Sequence, residues 1–418
     1  MGGKIYGLLG RKLGHSWSVP IHQALGCEDY RLIEIEPENL ADFLRRRDIG
    51  GLNVTIPYKR DVMALCDVVG ESARAIGSVN TLVRREDGKL YGYNTDIDGF
   101  LYMLRRAGIT LAGKKLLVAG SGGASLTAQA AARREGARKT VVLSRNGPDN
   151  YRNLARHADA DVLINTTPAG MWPDMEEQPV DLSLLPNVTA VADVIYNPTR
   201  TNLLLQAAEL GSARPIRRAG GLPMLVDQAR AAEELFFSRP IPTGETERIL
   251  PLLRRDTVNL VLVGMPGCGK TTVGRALARL SGRPLADLDE EIVRRAGKSI
   301  PEIFARQGEA AFRELESRAL AEVCAKNGQV IATGGGAVLR AENRLAMRRT
   351  GRVYCLRREL GQLSTEGRPL SRAGKLEEME RIRRPLYAAA ADISVENNIP
   401  AEETARRIWR DFCENSGD

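Results

Sequence analysis

Histidine is scarce in this chain, with three in 418 residues, and the six cysteines stand apart, with no CxxC pair and no cysteine–histidine ligand spacing. A structural zinc site needs several nitrogen or sulfur ligands at short intervals, so zinc chemistry is set aside. Cys27, Cys66, Cys268, Cys324, Cys355 and Cys413 read as reduced thiols rather than as a disulfide framework. No run of about 18 apolar residues occurs, which excludes a membrane-spanning helix. Met1-Gly-Gly-Lys-Ile5 lacks the apolar core of a signal segment, so a cytoplasmic location is expected. Basic residues come singly or in short groups such as Arg45–Arg47, which argues against a nucleic-acid surface. What is present is ordinary for a globular chain: 43% hydrophobic residues, 27% charged residues and a formal charge of +8. The length allows two or three domains, and the basic excess suits anionic small molecules.

Two unlike glycine-rich loops carry the first chemical information. Gly120-Ser121-Gly122-Gly123-Ala124-Ser125 follows the apolar run Leu116–Ala119, and Gly264-Met-Pro-Gly267-Cys268-Gly269-Lys270-Thr271 follows Asn259–Val263. The first has the form that holds a dinucleotide, and the second the form that holds a nucleoside triphosphate. Ser125 stands where a third glycine is usual, but an alanine-rich helix, Ala128–Arg134, follows and would aim its free amides at a pyrophosphate. The strand Thr140–Leu143 ends in Ser144-Arg145-Asn146 rather than in an acid. Arginine there favours a 2′-phosphate, hence NADP over NAD.

Short apolar strands alternate with helical stretches throughout. Lys4–Leu9 and Gly51–Pro57 read as strands of a first block, and Val19–Leu25 as the start of a helix. Leu116–Ala119, Thr140–Leu143, Val162–Asn165 and Ala190–Ile195 repeat at the spacing of a parallel, doubly wound sheet. The segment from Asn146 to Asp161 is short, so any helix there is small. Pro240–Glu247, rich in proline, glycine and threonine, marks a boundary. The expected division is residues 1–112 with 219–240, then 113–218, a linker at 241–255, and a third α/β unit at 256–418.

Three segments upstream of the first loop stand out. Ser16 and Ser18 would present two hydroxyls on one side of an extended chain, Asn53–Lys59 ends a buried strand in lysine, and Asn94-Thr-Asp96 supplies a carboxylate. Lysine beside aspartate is a sensible acid–base pair for reducing a ketone. With Ala75–Thr81, Asp193–Pro198 and Gly221–Gln228, these segments resemble shikimate dehydrogenase in order, across residues 4–237. The resemblance implies that Ser16 and Ser18 hold the substrate carboxylate, and that Thr55, Asn80 and Gln228 bind ring hydroxyls. It implies Lys59 and Asp96 as the catalytic pair, with Asp96 also touching substrate. Gly120, Ser121, Gly122, Gly123 and Ala124 would cradle the pyrophosphate, Ser144, Arg145 and Asn146 the 2′-phosphate, and Tyr196 and Gly221 the nicotinamide end.

The second loop stands with Asp287-Leu-Asp289 about 20 residues on, where a metal-linked carboxylate and a base would be in place. Phe312–Glu316, Thr333–Gly336 and Arg383–Tyr387 complete a resemblance to shikimate kinase across residues 259–395. It implies that Gly267, Cys268, Gly269, Lys270, Thr271 and Thr272 hold the ATP phosphates, with Lys270 catalytic. Thr271 and Asp287 would serve Mg²⁺, and Asp289 would bind shikimate and take its hydroxyl proton. Arg313 and Arg383 would pair with the substrate carboxylate, Glu316 would orient Arg313, and Gly335 and Gly336 would approach the ring. Arg368, in Gly367-Arg-Pro-Leu370, would come from a lid to the transferring phosphate; between Arg358 and Arg368 the chain lacks the arginine that many members place against adenine.

The two resemblances imply an α/β substrate domain and a Rossmann NADP domain, followed by a P-loop α/β kinase domain with a parallel sheet. They imply an enzyme that reduces 3-dehydroshikimate with NADPH and then phosphorylates shikimate from ATP. The oxygen protonated by Lys59 in the first step would be the nucleophile deprotonated by Asp289 in the second. Two other readings stay open: a non-catalytic sensor of quinate or shikimate, and an NAD-dependent quinate dehydrogenase fused to a kinase.

Overall fold

The computed structural model describes residues 3–14, 16–363 and 373–415. The chain forms two compact units, one reaching Leu250 without Asn197–Arg200, the other comprising Pro251 onward with that short segment. The first unit holds two sheets. In the first sheet, β1 (Ile5–Gly10), β2 (Arg31–Glu34), β3 (Ile49–Val54), β4 (Val68–Val69), β5 (Thr81–Arg84) and β6 (Leu90–Tyr93) lie in the order β2-β1-β3-β5-β6-β4. β5 runs antiparallel to both β3 and β6, and the other pairings are parallel.

The second sheet is wholly parallel: β7 (Lys115–Ala119), β8 (Lys139–Leu143), β9 (Val162–Asn165), β10 (Ala190–Asp193) and β11 (Arg217–Ala219), in the order β11-β10-β9-β7-β8. Leu116, Leu117, Val118 and Ala119 are all 0% exposed, as a strand covered by helices on both faces requires. The short segment after Asn146 holds a single 3₁₀ turn, Leu154–His157.

The second unit holds one parallel sheet: β12 (Asn259–Gly264), β13 (Leu285–Asp287), β14 (Val330–Ala332), β15 (Gly351–Arg357) and β16 (Ile393–Glu396), in the order β13-β14-β12-β15-β16. Its phosphate loop leaves the central strand, so the loop opens at the carboxyl ends of the strands, where such sheets bind ligands.

The 241–255 segment, expected as a linker, is largely helical: Gly244–Thr257 is a helix that starts with Glu245 and Glu247 in its first turn. Thr246 Oγ1 donates to buried Asp227 at 2.9 Å, Tyr102 donates to Glu247, and Ile249 and Leu250 are fully buried. The boundary between the units falls inside this helix. Among the described residues no helix is long and apolar enough to cross a membrane.

Candidate active sites

In the first unit, the turn after β3 carries Lys59, and the first residue of the Asp96–Arg106 helix carries a carboxylate. Lys59 Nζ donates to Asp96 Oδ2 at 2.6 Å, with the two side chains 30% and 17% exposed. Asn80, on the approach to β5, braces this pair: its Nδ2 lies 2.8 Å from Asp96 Oδ1, 3.1 Å from Thr95 Oγ1 and 3.5 Å from Gln228 Oε1. Asn80 Oδ1 in turn accepts from the Thr95 N–H at 2.8 Å and the Thr81 hydroxyl at 2.8 Å. Lys59, Asp96, Asn80 and Gln228 thus converge from four separate segments. Thr55 packs its methyl against Gly10, where a side chain would come within 2.9 Å of it.

Ser16 and Ser18 form their own pair, with Ser16 Oγ donating to Ser18 Oγ at 3.1 Å. They do so without the extended backbone expected, since Ser18 opens the Ser18–Leu25 helix and Trp17 before it is helical. The turn folds the two hydroxyls together, and the Ser16 hydroxyl also accepts the Ser18 N–H at 3.2 Å.

The dinucleotide loop leaves β7 through Gly120, whose φ of +103° is a conformation that suits glycine. Gly122 caps the Gly123–Arg134 helix, and a β-carbon on Gly122 or Gly123 would meet nothing within 4 Å. Ser121, Gly122 and Gly123 are exposed at the N-terminus of this helix, an end whose free amides suit an anion. Ser125, at the position of the missing third glycine, is buried and accepts from the Gln129 amide at 3.2 Å. Arg145 and Asn146 are exposed beyond β8, and Tyr151, beside Arg145, is half-buried with its phenol pushed up by burial.

Tyr196 packs its ring against Trp17, 5.1 Å between centroids. Gly221 donates its N–H to Ile195 O at 3.0 Å, and any side chain there would collide with Val194 O. Beneath these residues Asp193 is fully buried and accepts from Thr201 Oγ1 at 2.7 Å, Ile195 N at 3.0 Å and Asn165 Nδ2 at 3.1 Å. Burial pushes its carboxyl up to about 6, against the pull of those three hydrogen bonds.

In the second unit, Lys270 opens the Lys270–Ser281 helix, and Gly269 before it has φ of +95°. Lys270 Nζ is buried against its own loop and donates to Gly264 O at 2.9 Å and Met265 O at 3.0 Å. Gly267 and Cys268 are buried in the same loop, and Thr272 is exposed. Thr271 Oγ1 donates to Asp287 Oδ2 at 2.7 Å, and Asp287 Oδ1 accepts the Asp289 N–H at 3.1 Å. A hydroxyl beside a carboxylate is a hard-oxygen set that fits Mg²⁺. Among the described residues no group of three His, Cys, Asp or Glu could hold a metal alone, so phosphate and water would supply the remaining ligands.

The residues expected to meet the substrate carboxylate gather around Gly334–Gly336. Arg313 Nη1 donates to Glu316 Oε2 at 2.7 Å, and Glu316 is 1% exposed. Burial pushes the Glu316 carboxyl up, and Arg313 opposes that rise. Arg313 Nε is buried with no partner among the described residues, a donor in want of an anion. Arg383 Nη1 and the Tyr387 hydroxyl both donate to Gly335 O, at 3.0 and 2.6 Å. The room left by absent side chains at Gly335 and Gly336 is taken by Pro266 and the Arg313 guanidinium, and a side chain on Gly334 would come within 3.1 Å of Asp289 Oδ1. Those glycines therefore seat protein groups first. Arg368 lies outside the described residues.

The family model for the shikimate dehydrogenase substrate binding domain matches residues 8–82. The shikimate dehydrogenase (NADP(+)) of Clostridium beijerinckii is 37% identical over 272 residues, covering 60% of this chain and 99% of that protein. The chain belongs to the shikimate dehydrogenase family. The Geobacillus kaustophilus shikimate dehydrogenase (NADP(+)) is 40% identical over 279 residues, with 60% and 99% covered. A solved chorismate mutase/shikimate 5-dehydrogenase fusion protein from Clostridium acetobutylicum is similar at TM-score 0.57 and 36% identity, covering 60% of this chain and 98% of that one. The Thermus thermophilus shikimate 5-dehydrogenase in complex with NADP(H) and shikimate matches at TM-score 0.52 and 30% identity, covering 59% and 97%. Behind this dehydrogenase, residues 266–412 match the family model for shikimate kinase.

Sequence reasoning assigned no role to three groups. Asn165 and Asp193 fix the carboxyl ends of β9 and β10, and only the Asp193–Pro198 segment hinted at it. Tyr387 closed a recognised segment without a partner being foreseeable. Trp17, between the two serines, covers Tyr196.

Proposed function

We propose that this shikimate dehydrogenase–shikimate kinase chain reduces 3-dehydroshikimate to shikimate and then phosphorylates the same hydroxyl, with Lys59, Asp96, Lys270 and Asp289 carrying the proton and phosphate chemistry. The observation that carries the reading is the Lys59–Asp96 pair, held at 2.6 Å and braced by Asn80. NADPH, when bound, supplies the hydride to the carbonyl carbon. Lys59 Nζ gives a proton to the ketone oxygen as it gains charge, and solvent restores the ammonium. Asp96 keeps Lys59 on target, and Ser16 with Ser18 holds the ring carboxylate, fixing which face of the ketone is presented.

In the second unit Asp289 takes the hydroxyl proton, and the freed oxygen attacks the γ-phosphorus of ATP as its bond to ADP breaks. Lys270 leaves its loop carbonyls for the phosphates. Thr271 and Asp287 would hold Mg²⁺, which offsets phosphate charge. Arg313 and Arg383 receive the carboxylate, with Arg368 proposed at the transferring phosphate.

Intact Lys59, Asp96, Lys270 and Asp289 support turnover over a sensing role, and Arg145 supports NADP over NAD. Two assays on one preparation test the reading: NADP reduction with shikimate, and shikimate-dependent release of ADP from ATP. Lack of the first activity overturns the dehydrogenase half, and lack of the second the kinase half.

A further inference from the structure

The first unit contains a buried group of polar side chains that neither proton transfer nor cofactor binding uses. His22 and Glu233 are both 0% exposed, with His22 Nδ1 2.9 Å from Glu233 Oε1. Tyr30 stacks on the imidazole, ring centroids 3.8 Å apart and planes 7° apart, and donates to Asn53 Oδ1 at 2.8 Å. His22 Nε2, Glu233 Oε2 and Asn53 Nδ2 are buried with no hydrogen-bond partner among the described residues. A buried ionisable pair is weak evidence for stability, because well-packed apolar residues serve as well or better. Its placement points elsewhere.

His22, Asn53 and Glu233 each sit on an element that carries, or leads directly into, a proposed substrate contact. His22 lies one helical turn beyond Ser18 in the Ser18–Leu25 helix, so the two share a face. Asn53 is in β3, which ends at Val54 and leads directly into Thr55. Glu233 follows Gln228 in the Leu222–Phe237 helix. Serine, threonine and glutamine therefore arrive from three elements that meet at one buried cluster.

We infer that the His22–Glu233 pair is a positioning device, setting the register of these three elements so that the carboxylate and the ring hydroxyls of the substrate are met together. Burial lowers the His22 pKa, opposed by Glu233 and Asn53. A neutral ring then donates through Nδ1–H to the carboxylate, which fixes the tautomer and the ring's orientation. The inference rests on the reading of Ser16, Ser18, Thr55 and Gln228 as substrate contacts.

The test uses the full chain. In Glu233→Gln, the shape survives and the charge is lost. The expected result is a shikimate KM in NADP-linked oxidation raised on the order of tenfold, with kcat within about threefold. The KM for NADP and the kinase KM for shikimate should not move. An unchanged dehydrogenase KM for shikimate, in a variant that melts like the parent, overturns the inference. If that variant does not fold, the parent chain decides: with three histidines in the sequence, ¹⁵N-histidine NMR can follow His22. Shikimate without NADP should shift the His22 ring nitrogens, and no shift overturns the inference. Ser18→Ala separates the two levels. An unchanged shikimate KM there sinks the substrate-contact reading itself, whereas a raised KM with an unaffected Glu233→Gln sinks only the positioning role.

Discussion

The lysines of the two units are satisfied in opposite ways. Lys59 faces a carboxylate at 2.6 Å and stays partly open to solvent. Lys270 is buried and rests on two neutral carbonyls of its own loop. A lysine that must hand a proton to one atom needs a charged partner to hold its aim. A lysine that must receive a phosphate is better left on neutral acceptors, because an arriving anion wins easily over a carbonyl but not over a carboxylate. On the proposed roles, the Lys59 site would be assembled before substrate arrives, and Lys270 would leave its carbonyls when phosphate binds.

The largest effects come from removing those lysines. Lys59→Ala should lower the dehydrogenase kcat by roughly 10³- to 10⁴-fold, toward the top of what acid–base catalysis supplies, and leave phosphorylation intact. Lys270→Ala should lower phosphorylation by about 10³-fold or more and leave NADP reduction intact. Steady-state assays of both activities on each variant check this. Loss of both activities from either change would break the comparison, since the two lysines would no longer serve separate sites.

A second pair sharpens it. Asp193 at the end of β10 and Asp287 at the end of β13 each accept a threonine hydroxyl at 2.7 Å. Asp193 is sealed, while Asp287 is half-buried. The sealed carboxyl binds its proton more tightly folded, near 6, than unfolded, near 3.8. Stability from this group is therefore present below the unfolded value and is lost as pH rises toward 6. The loss is about 3 kcal/mol at roughly 1.4 kcal/mol per pKa unit. Asp193→Asn keeps the Asn165 and Ile195 hydrogen bonds, and the Thr201 hydroxyl can turn to accept. Between pH 4 and 7 the variant should gain about that much on the parent in thermal melting of the first unit. A constant difference across that range rules out Asp193 as the titrating group.

Arg145 offers a smaller effect. Removing a charge-assisted contact of about 2 kcal/mol should raise the NADPH KM roughly 30-fold in Arg145→Ala. The NADH KM should not change, so the ratio of the two reports the 2′-phosphate alone. Equal changes for both cofactors would mean that Arg145 supports the loop rather than reading the phosphate.

How much of this was legible follows from the range of each signal. Leu116–Ala119 and Asn259–Val263 announce buried parallel strands because every residue is apolar, and the glycine loops after them are local motifs. Lys59 and Asp96 lie 37 positions apart, so nothing local joins them, and only resemblance paired them. The 241–255 segment misled because Pro240, Pro242 and Gly244 signal a break, whereas Glu245 and Glu247 behind them start a helix. Ser16 and Ser18 face each other as expected, but through a helix start, since spacing alone does not separate a turn from an extended chain. Tyr387 owes its hydrogen bond to Gly335, 52 positions away, and Asp193 meets Asn165 28 positions away, and a single sequence carries no sign of either pairing.

The smallest effect tests how each site is braced. The Asn80 amide reaches Asp96, Thr95 and Gln228, so one side chain serves several partners. In the kinase unit two donors, Arg383 and Tyr387, share one acceptor, Gly335 O. Redundant bracing should fail softly. Tyr387→Phe removes one neutral hydrogen bond of about 1 kcal/mol and leaves the carbonyl still satisfied by Arg383, so no buried acceptor is orphaned. The shikimate KM for phosphorylation should rise no more than about fivefold, with kcat unchanged. Asn80→Ala, in contrast, leaves Asp96 with only Lys59 to orient it and should cost the dehydrogenase about 10- to 100-fold in kcat/KM. If Tyr387→Phe costs the kinase as much as Asn80→Ala costs the dehydrogenase, Gly335 O is not doubly held in solution. Tyr387 would then place the Gly334–Gly336 turn by itself.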